Sequence, residues 1–161
     1  MATRSIIAKL KKGTNNTDDT ILAIYCHHDG YLKHNGVILN EHYQDESKID
    51  ELLAGGNLSF LGCNIGEKLD FDDIESFREN EQCIFYHRDR NEAKQTAIQL
   101  ADKDELIKHS SDSWADYIYL YENGKWYVRC SNHGTIHYKL MGPFIELEEA
   151  LSPSPLRSSY V

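Results

Sequence analysis

Short β-prone runs and polar, glycine-bearing stretches alternate along this chain. Residues 5–10 and 20–26 are two such runs, and the Gly/Asn/Asp-rich stretch 11–19 between them predicts a hairpin with a flexible loop. After Gly36, the apolar residues Val37, Ile38 and Leu39, with His42 and Tyr43, suit a short helix. A second helix is predicted over 49–54, capped by Asp45 or Ser47 and stopped at Gly55 and Gly56.

The pattern weakens from Asn57 to Gln82. Seven carboxylates there (Glu67, Asp70, Asp72, Asp73, Glu75, Glu79 and Glu81) are relieved only by Lys68 and Arg78, which reads as an exposed loop or helix face. Its alternative is a partner surface carried by Asp70, Asp72, Asp73 and Glu75. Residues 83–86 then read as a strand, with 96–100 as the return strand and Arg88 to Glu92 in the turn between them. Asp102 or Asp104 starts a helix through Leu106 and Ile107.

The last strands carry the sharpest local signal. Asn123-Gly124 between 117–121 and 126–130 predicts a type I′ turn, whose two central residues need positive φ. That register sets Tyr121 opposite Trp126, Tyr119 opposite Val128 and Tyr117 opposite Cys130 on one face, with Leu120 opposite Tyr127 on the other. The aromatic face reads more readily as core than as binding surface. Residues 145–151 follow as a short helix-like stretch, and 152–161, polar and interrupted by proline, as a loose tail. The expectation is one α+β domain over residues 1–151. Its mostly antiparallel sheet has about six strands in three hairpins, with three or four short helices packed on one side.

Composition narrows the function classes. Hydrophobic residues make up 40% and charged residues 27% of 161 residues, the balance of a soluble globular protein. A formal charge of −9 argues against general nucleic-acid binding, which needs a concentrated Lys/Arg surface, and permits an acidic face that attracts a basic partner. No stretch reaches the roughly 18 apolar residues of a membrane span, and the start lacks a signal-peptide pattern, so a cytoplasmic location is expected. Cys26, Cys63, Cys83 and Cys130 lie far apart and read as reduced thiols.

Candidate chemistry gathers first at Tyr25-Cys-His-His-Asp-Gly-Tyr31 with His34, Asn35 and Gly36. Histidine beside carboxylate supplies the groups for proton transfer or a divalent metal at His27 and Asp29. On an extended segment, however, His27 and His28 point to opposite faces, so a metal site needs outside help, for which Cys130 and His133 offer only a weak pair. No cofactor is therefore predicted. Glycine at a tight turn, with a neighbouring side chain capping backbone N–H groups, explains Asp29-Gly30 and Asn35-Gly36 equally well.

The second constellation is Tyr86-His-Arg-Asp-Arg90, where Arg88 and Arg90 present planar donors for phosphate or carboxylate and Asp89 orients one of them or acts as a base. If strand ends converge, Arg4, His27, Asp29, Arg88 and Asp89 form a pocket for an anionic small molecule. Tyr31, Asn35 and Tyr86 border it, and Trp126 is a further stacking candidate. The His-Arg-Asp triplet lacks every other kinase element, and no nucleophile, phosphate-loop or zinc-protease motif is present.

The start Ala2-Thr-Arg-Ser5, the segment Ile24 to Tyr31, Asn35-Gly36, Leu39-Asn-Glu-His-Tyr43, Tyr86-His-Arg-Asp-Arg90 and the closing aromatic hairpin together resemble a family of small bacteriophage and prophage proteins. The resemblance covers most of residues 1–130. In that family the position of His28 is often aromatic, which weakens a metal role for His28. The resemblance implies an accessory protein of the infected bacterial cytoplasm. Such a protein would counter a host defence process by inhibiting a host protein or by sequestering a nucleotide-like molecule. A small metal-dependent hydrolase or nuclease using His27 and Asp29, and a minor structural protein of the particle, are the alternatives, and a homo-oligomer completing the pocket is compatible with all three.

Overall fold

A computed structural model describes residues 2–15, 18–68, 81–130 and 142–152. In chain order the elements are β1 (Ser5–Lys11), β2 (Thr20–Cys26), a π-helical turn (Leu32–Gly36) running into α1 (Val37–His42), α2 (Glu46–Ala54), β3 (Leu58–Phe60), β4 (Ile84–Phe85) and α3 (Tyr86–Arg90). They continue with β5 (Ile98–Leu100), α4 (Lys103–Asp112), β6 (Tyr117–Glu122), β7 (Lys125–Cys130), β8 (Ile145–Glu146) and α5 (Leu147–Leu151). The strands form one eight-stranded sheet in the order β4-β3-β2-β1-β6-β7-β8, with β5 also paired to β2. The chain is thus α+β with a mixed, open sheet.

The first and last hairpins form, the last in the expected register. Ser5 pairs with Cys26 and Lys11 with Thr20, while Tyr121 pairs with Trp126, Tyr119 with Val128 and Tyr117 with Cys130. Asn123 and Gly124 hold φ of 52° and 81°, as the type I′ turn demands. Asp45 caps α2 by accepting from the Ser47 N–H at 3.0 Å, and Asp102 caps α4 by accepting from the Glu105 N–H at 2.9 Å.

Three expectations need correction. The middle hairpin does not form: β4 pairs with β3, a strand the weak pattern after Asn57 concealed, and β5 pairs with β2. Two pairings, β1 with β6 and β2 with β3, are parallel. The helices also do not share one side. Leu39, Ile49, Leu52 and Leu147 of α1, α2 and α5 pack with Ile7, Ile24 and Tyr119. Leu106 of α4 instead packs with Ile6, Ala8, Ile21, Ala23, Ile118 and Leu120. The reason lies in the central strands: Ile6, Ile7 and Ala8, and all of Tyr117 to Tyr121, are buried, so both sheet faces are apolar and both need cover. The aromatic face of the last hairpin is core, with Trp126 donating its indole N–H to the Tyr43 carbonyl at 2.8 Å.

The acidic positions Asp70, Asp72, Asp73 and Glu75, His133, and the tail beyond Ser152 lie outside the described residues. No described helix is long and apolar enough to cross a membrane.

Candidate functional site

The site is assembled by strand parity. Ser5 and Cys26 are cross-strand partners, and Asn35 donates to Ser5 Oγ at 3.1 Å on the face covered by α1, α2 and α5. One residue further out, Arg4 and His27 therefore project toward the opposite face, the one that carries Ile6, Tyr25 and α4. The same parity places Asp116, next to Tyr117 in the parallel partner β6, on that face. Its N–H donates to the Arg4 carbonyl at 2.8 Å.

Tyr25 links the two basic residues. Its hydroxyl lies 2.8 Å from His27 Nδ1, and the Arg4 guanidinium is near enough to act on it electrostatically. Either group can donate across the Tyr25–His27 contact; with the phenol donating, the imidazole is neutral and Nε2–H is its outward donor. Burial raises the Tyr25 hydroxyl above its ordinary value, against the pull of Arg4.

The remaining groups come from β2's exit and α3. Partial burial lowers the pKa of His27, and His28, Arg4 and Arg90 push it the same way. His28 meets the His27 ring edge-on at 4.6 Å. Tyr86 enters α3 beside Asn57, whose carbonyl accepts from the Tyr86 N–H at 3.2 Å and whose side chain accepts from the Tyr25 N–H at 3.0 Å. Arg90, one turn on, lies over the Tyr86 ring at 5.0 Å and 3.6 Å from Glu92. Arg4, Tyr25, His27, His28, Tyr86 and Arg90 thus form one cationic, ring-bearing group drawn from three chain segments.

Other expected site residues serve the fold. Asp89 is buried; it accepts from the Phe85 N–H at 2.9 Å and from Arg88 Nε at 3.0 and 3.1 Å. Arg88 also donates to the carbonyls of Gly66 and Cys83 at 3.0 and 3.1 Å. The Asp89 bond turns the chain from strand into helix at Phe85, in place of the expected turn, and Arg88 ties that helix to the segment before it. Arg88 then borders a surface hollow with Lys68, His87, Asn91 and Glu92.

Asp29, Tyr31 and Asn35 make the strand exit. Asp29 holds φ of 56°, and Asn35 is fully buried between Ser5 and Cys26 Sγ. A Cβ on Gly30 would lie 2.7 Å from Ser5 Cβ, and the Gly30 carbonyl accepts from the buried Tyr119 hydroxyl at 2.6 Å. The glycine here is therefore demanded by close packing. Burial, then the charge of Asp29 and a hydrogen bond with it, raise the Tyr31 hydroxyl. Asp29 lies near enough to Tyr31 to act on its hydroxyl, while His27 Nδ1 meets the Tyr25 hydroxyl.

Cys26 supplies no nucleophile: burial pushes its thiol up to about 12. All four cysteines are unbridged. Among the described residues no group of three or more His, Cys, Asp or Glu is placed to hold a metal ion.

Three members of the group, Tyr25, His28 and Arg90, fall outside the sequence-based pocket. The i, i+2 relation of Tyr25 to His27 was available as a signal for the first. Choosing Arg90 over Arg88 needed the helix. No protein-family model matches the chain, and no curated protein and no solved structure is similar to it at a significant level.

Proposed function

We propose that this is a binding protein for a phosphate-bearing small molecule, held on Arg4, His27 and Arg90 with Tyr25 and Tyr86 positioning those donors. In keeping with the bacteriophage resemblance, it acts in the cytoplasm of the infected bacterium and counters a host defence process by sequestering a nucleotide-like signal. The observation that carries the reading is that His28, Arg4 and Arg90 all act on His27 with the same sign. Two guanidinium groups from separate chain segments beside one imidazole make a donor set suited to a phosphate. One carboxylate, Asp116, borders the group, and Glu92 partners Arg90.

Binding is favoured over turnover by what surrounds His27. His27 Nδ1 faces a phenol in place of the carboxylate that commonly orients a catalytic imidazole. The metal-dependent hydrolase is accordingly the weaker reading.

Native mass spectrometry of the protein purified from infected cells, with denaturing analysis of what dissociates, tests the proposal. A phosphorylated small molecule lost in Arg4→Ala and Arg90→Ala, and retained in Arg88→Ala, is the expected result. Each loss should weaken binding by about tenfold or more, the worth of a charge-assisted contact. A captured host protein in place of a small molecule would replace sequestration with direct inhibition. An apo mass, with no binding of inorganic phosphates in vitro, would end the proposal.

A further inference from the structure

The edges of the sheet end in different ways. β4 is closed: the Phe85 N–H is taken by Asp89 at 2.9 Å and the Cys83 carbonyl by Arg88 at 3.1 Å. β8 is two residues long and runs straight into α5. β5 has neither device. It pairs with β2, and among the described residues no strand lies against its other side. The backbone groups of β5 that point away from β2 are open to a further strand.

The sequence around this edge lacks the usual guards. A free edge strand is commonly protected by charge, by proline or by a bulge. Residues 95–101, Gln-Thr-Ala-Ile-Gln-Leu-Ala, contain no charge and no proline, and β5 keeps an unbroken register with Ile21, Leu22 and Ala23. Glu92 to Thr96, Ile98 and Gln99 are exposed. Ile98 pairs with Ala23 and so lies on the face that α4 covers, yet it stays 44% exposed. A lone exposed isoleucine is ordinary; one on an uncharged, unpaired strand edge marks a place for another strand.

Charge indicates whose strand it is. A net charge of −9 sets two copies of this chain against each other over most of their surface, and the uncharged run is where they can meet without repulsion. Antiparallel self-pairing about Ile98 also sets residue 94 of each copy opposite residue 102 of the other. These are Lys94 and Asp102, so an opposite-charge pair closes each end of the uncharged run. Lys94 has no side-chain partner among the described residues, and Asp102 caps α4 through Oδ1, which leaves Oδ2 as an acceptor.

We infer that this protein pairs with a second copy of itself through β5, antiparallel about Ile98, so that the two sheets join and the Ile98 side chains cover each other on a two-fold axis. Each Lys94 then meets Asp102 of the second copy. The pairing is independent of the anion site, whose residues belong to the ends of β1 and β2 and to α3.

Sedimentation equilibrium of the full chain tests it. The average mass is expected to rise from 18.6 kDa toward twice that value as concentration passes through about 10–100 μM, the weak end of the range for a small interface. Ile98→Lys places like charges on the axis and should weaken association at least tenfold, with an unfolding midpoint close to wild type because the position is exposed. Lys94→Glu, also at an exposed position, should weaken association as well, more at low salt than at high salt. A mass of 18.6 kDa at every concentration, or a dimer that both variants leave unchanged, would overturn the pairing. So would a different protein that occupies β5 and excludes the second copy.

Discussion

Tyr25 and His27, two residues apart on one edge of β2 and its exit, meet at 2.8 Å through the phenol oxygen and imidazole Nδ1. A phenol that donates in that contact holds the imidazole neutral and leaves Nε2–H pointing outward. Donation to Nδ1 favours the uncharged ring, so Tyr25→Phe should raise the pKa of His27. An imidazole titration followed by NMR, compared with wild type, reads this directly; an unchanged or lower value would contradict the assigned tautomer.

The same histidine gives stability a pH dependence of known sign. Burial lowers His27 and His109 below the ordinary histidine value of 6.5, so the unfolded chain binds protons first as pH falls. Their contribution is complete above 6.5 and is lost as pH drops through the lower folded values. Urea unfolding between pH 7.5 and 5 should show stability declining on the acid side, with a shallower decline in His27→Gln. Phosphate binding acts in the opposite sense, since a dianion favours the charged imidazole. Affinity for inorganic triphosphate should therefore rise as pH falls through the same interval, with proton uptake in calorimetry.

Arg88 and Arg90 separate structural from binding roles within one helix. Asp89→Ala leaves the Phe85 N–H and Arg88 Nε without their carboxylate acceptor, and should cost about 2–4 kcal/mol in urea denaturation. Arg88→Ala should also destabilise while sparing anion binding. Arg90→Ala should do the reverse.

Gly30 and Tyr119 hold the strand exit that aims His27. Gly30→Ala drives a methyl group to within 2.9 Å of Ser5 Oγ and the Thr3 carbonyl, and should destabilise by about 1–3 kcal/mol. Tyr119→Phe removes the donor to the Gly30 carbonyl and should cost about 1–2 kcal/mol. Thermal or denaturant unfolding of both variants checks the pair; a neutral Gly30→Ala would mean that the turn shifts freely.

Gly124 tests the turn on its own. With φ of 81° and nothing within 4 Å of a built Cβ, Gly124→Ala meets no obstacle except its backbone conformation. A loss of about 1–2 kcal/mol, measured by the same unfolding experiment, is expected from left-handed strain alone.

Local chemistry alone determined a good part of this protein. The Asn123-Gly124 hairpin with its register, the pairing of the first two strands, and the helix starts at Asp45 or Ser47 and at Asp102 or Asp104 were legible because each depends on residues a few positions apart, whose backbone preferences act before any packing. The presence of chemistry at residues 25–31 and 86–90 was legible for the same reason: reactive residue types are visible in sequence.

Tertiary structure decided which of those residues meet. The parallel pairings of β1 with β6 and β2 with β3, the place of α4 on the second face, and the pairing of β5 with β2 are long-range choices, made by two apolar sheet faces that both had to be buried. Those choices carried Arg88 inward to Asp89 and backbone carbonyls, and brought Arg90 to Tyr86 and His27. Arg88 and Arg90, two residues apart on a helix, differ in direction by about 200°, so only the docking of that helix could choose between two side chains the sequence presents as equals.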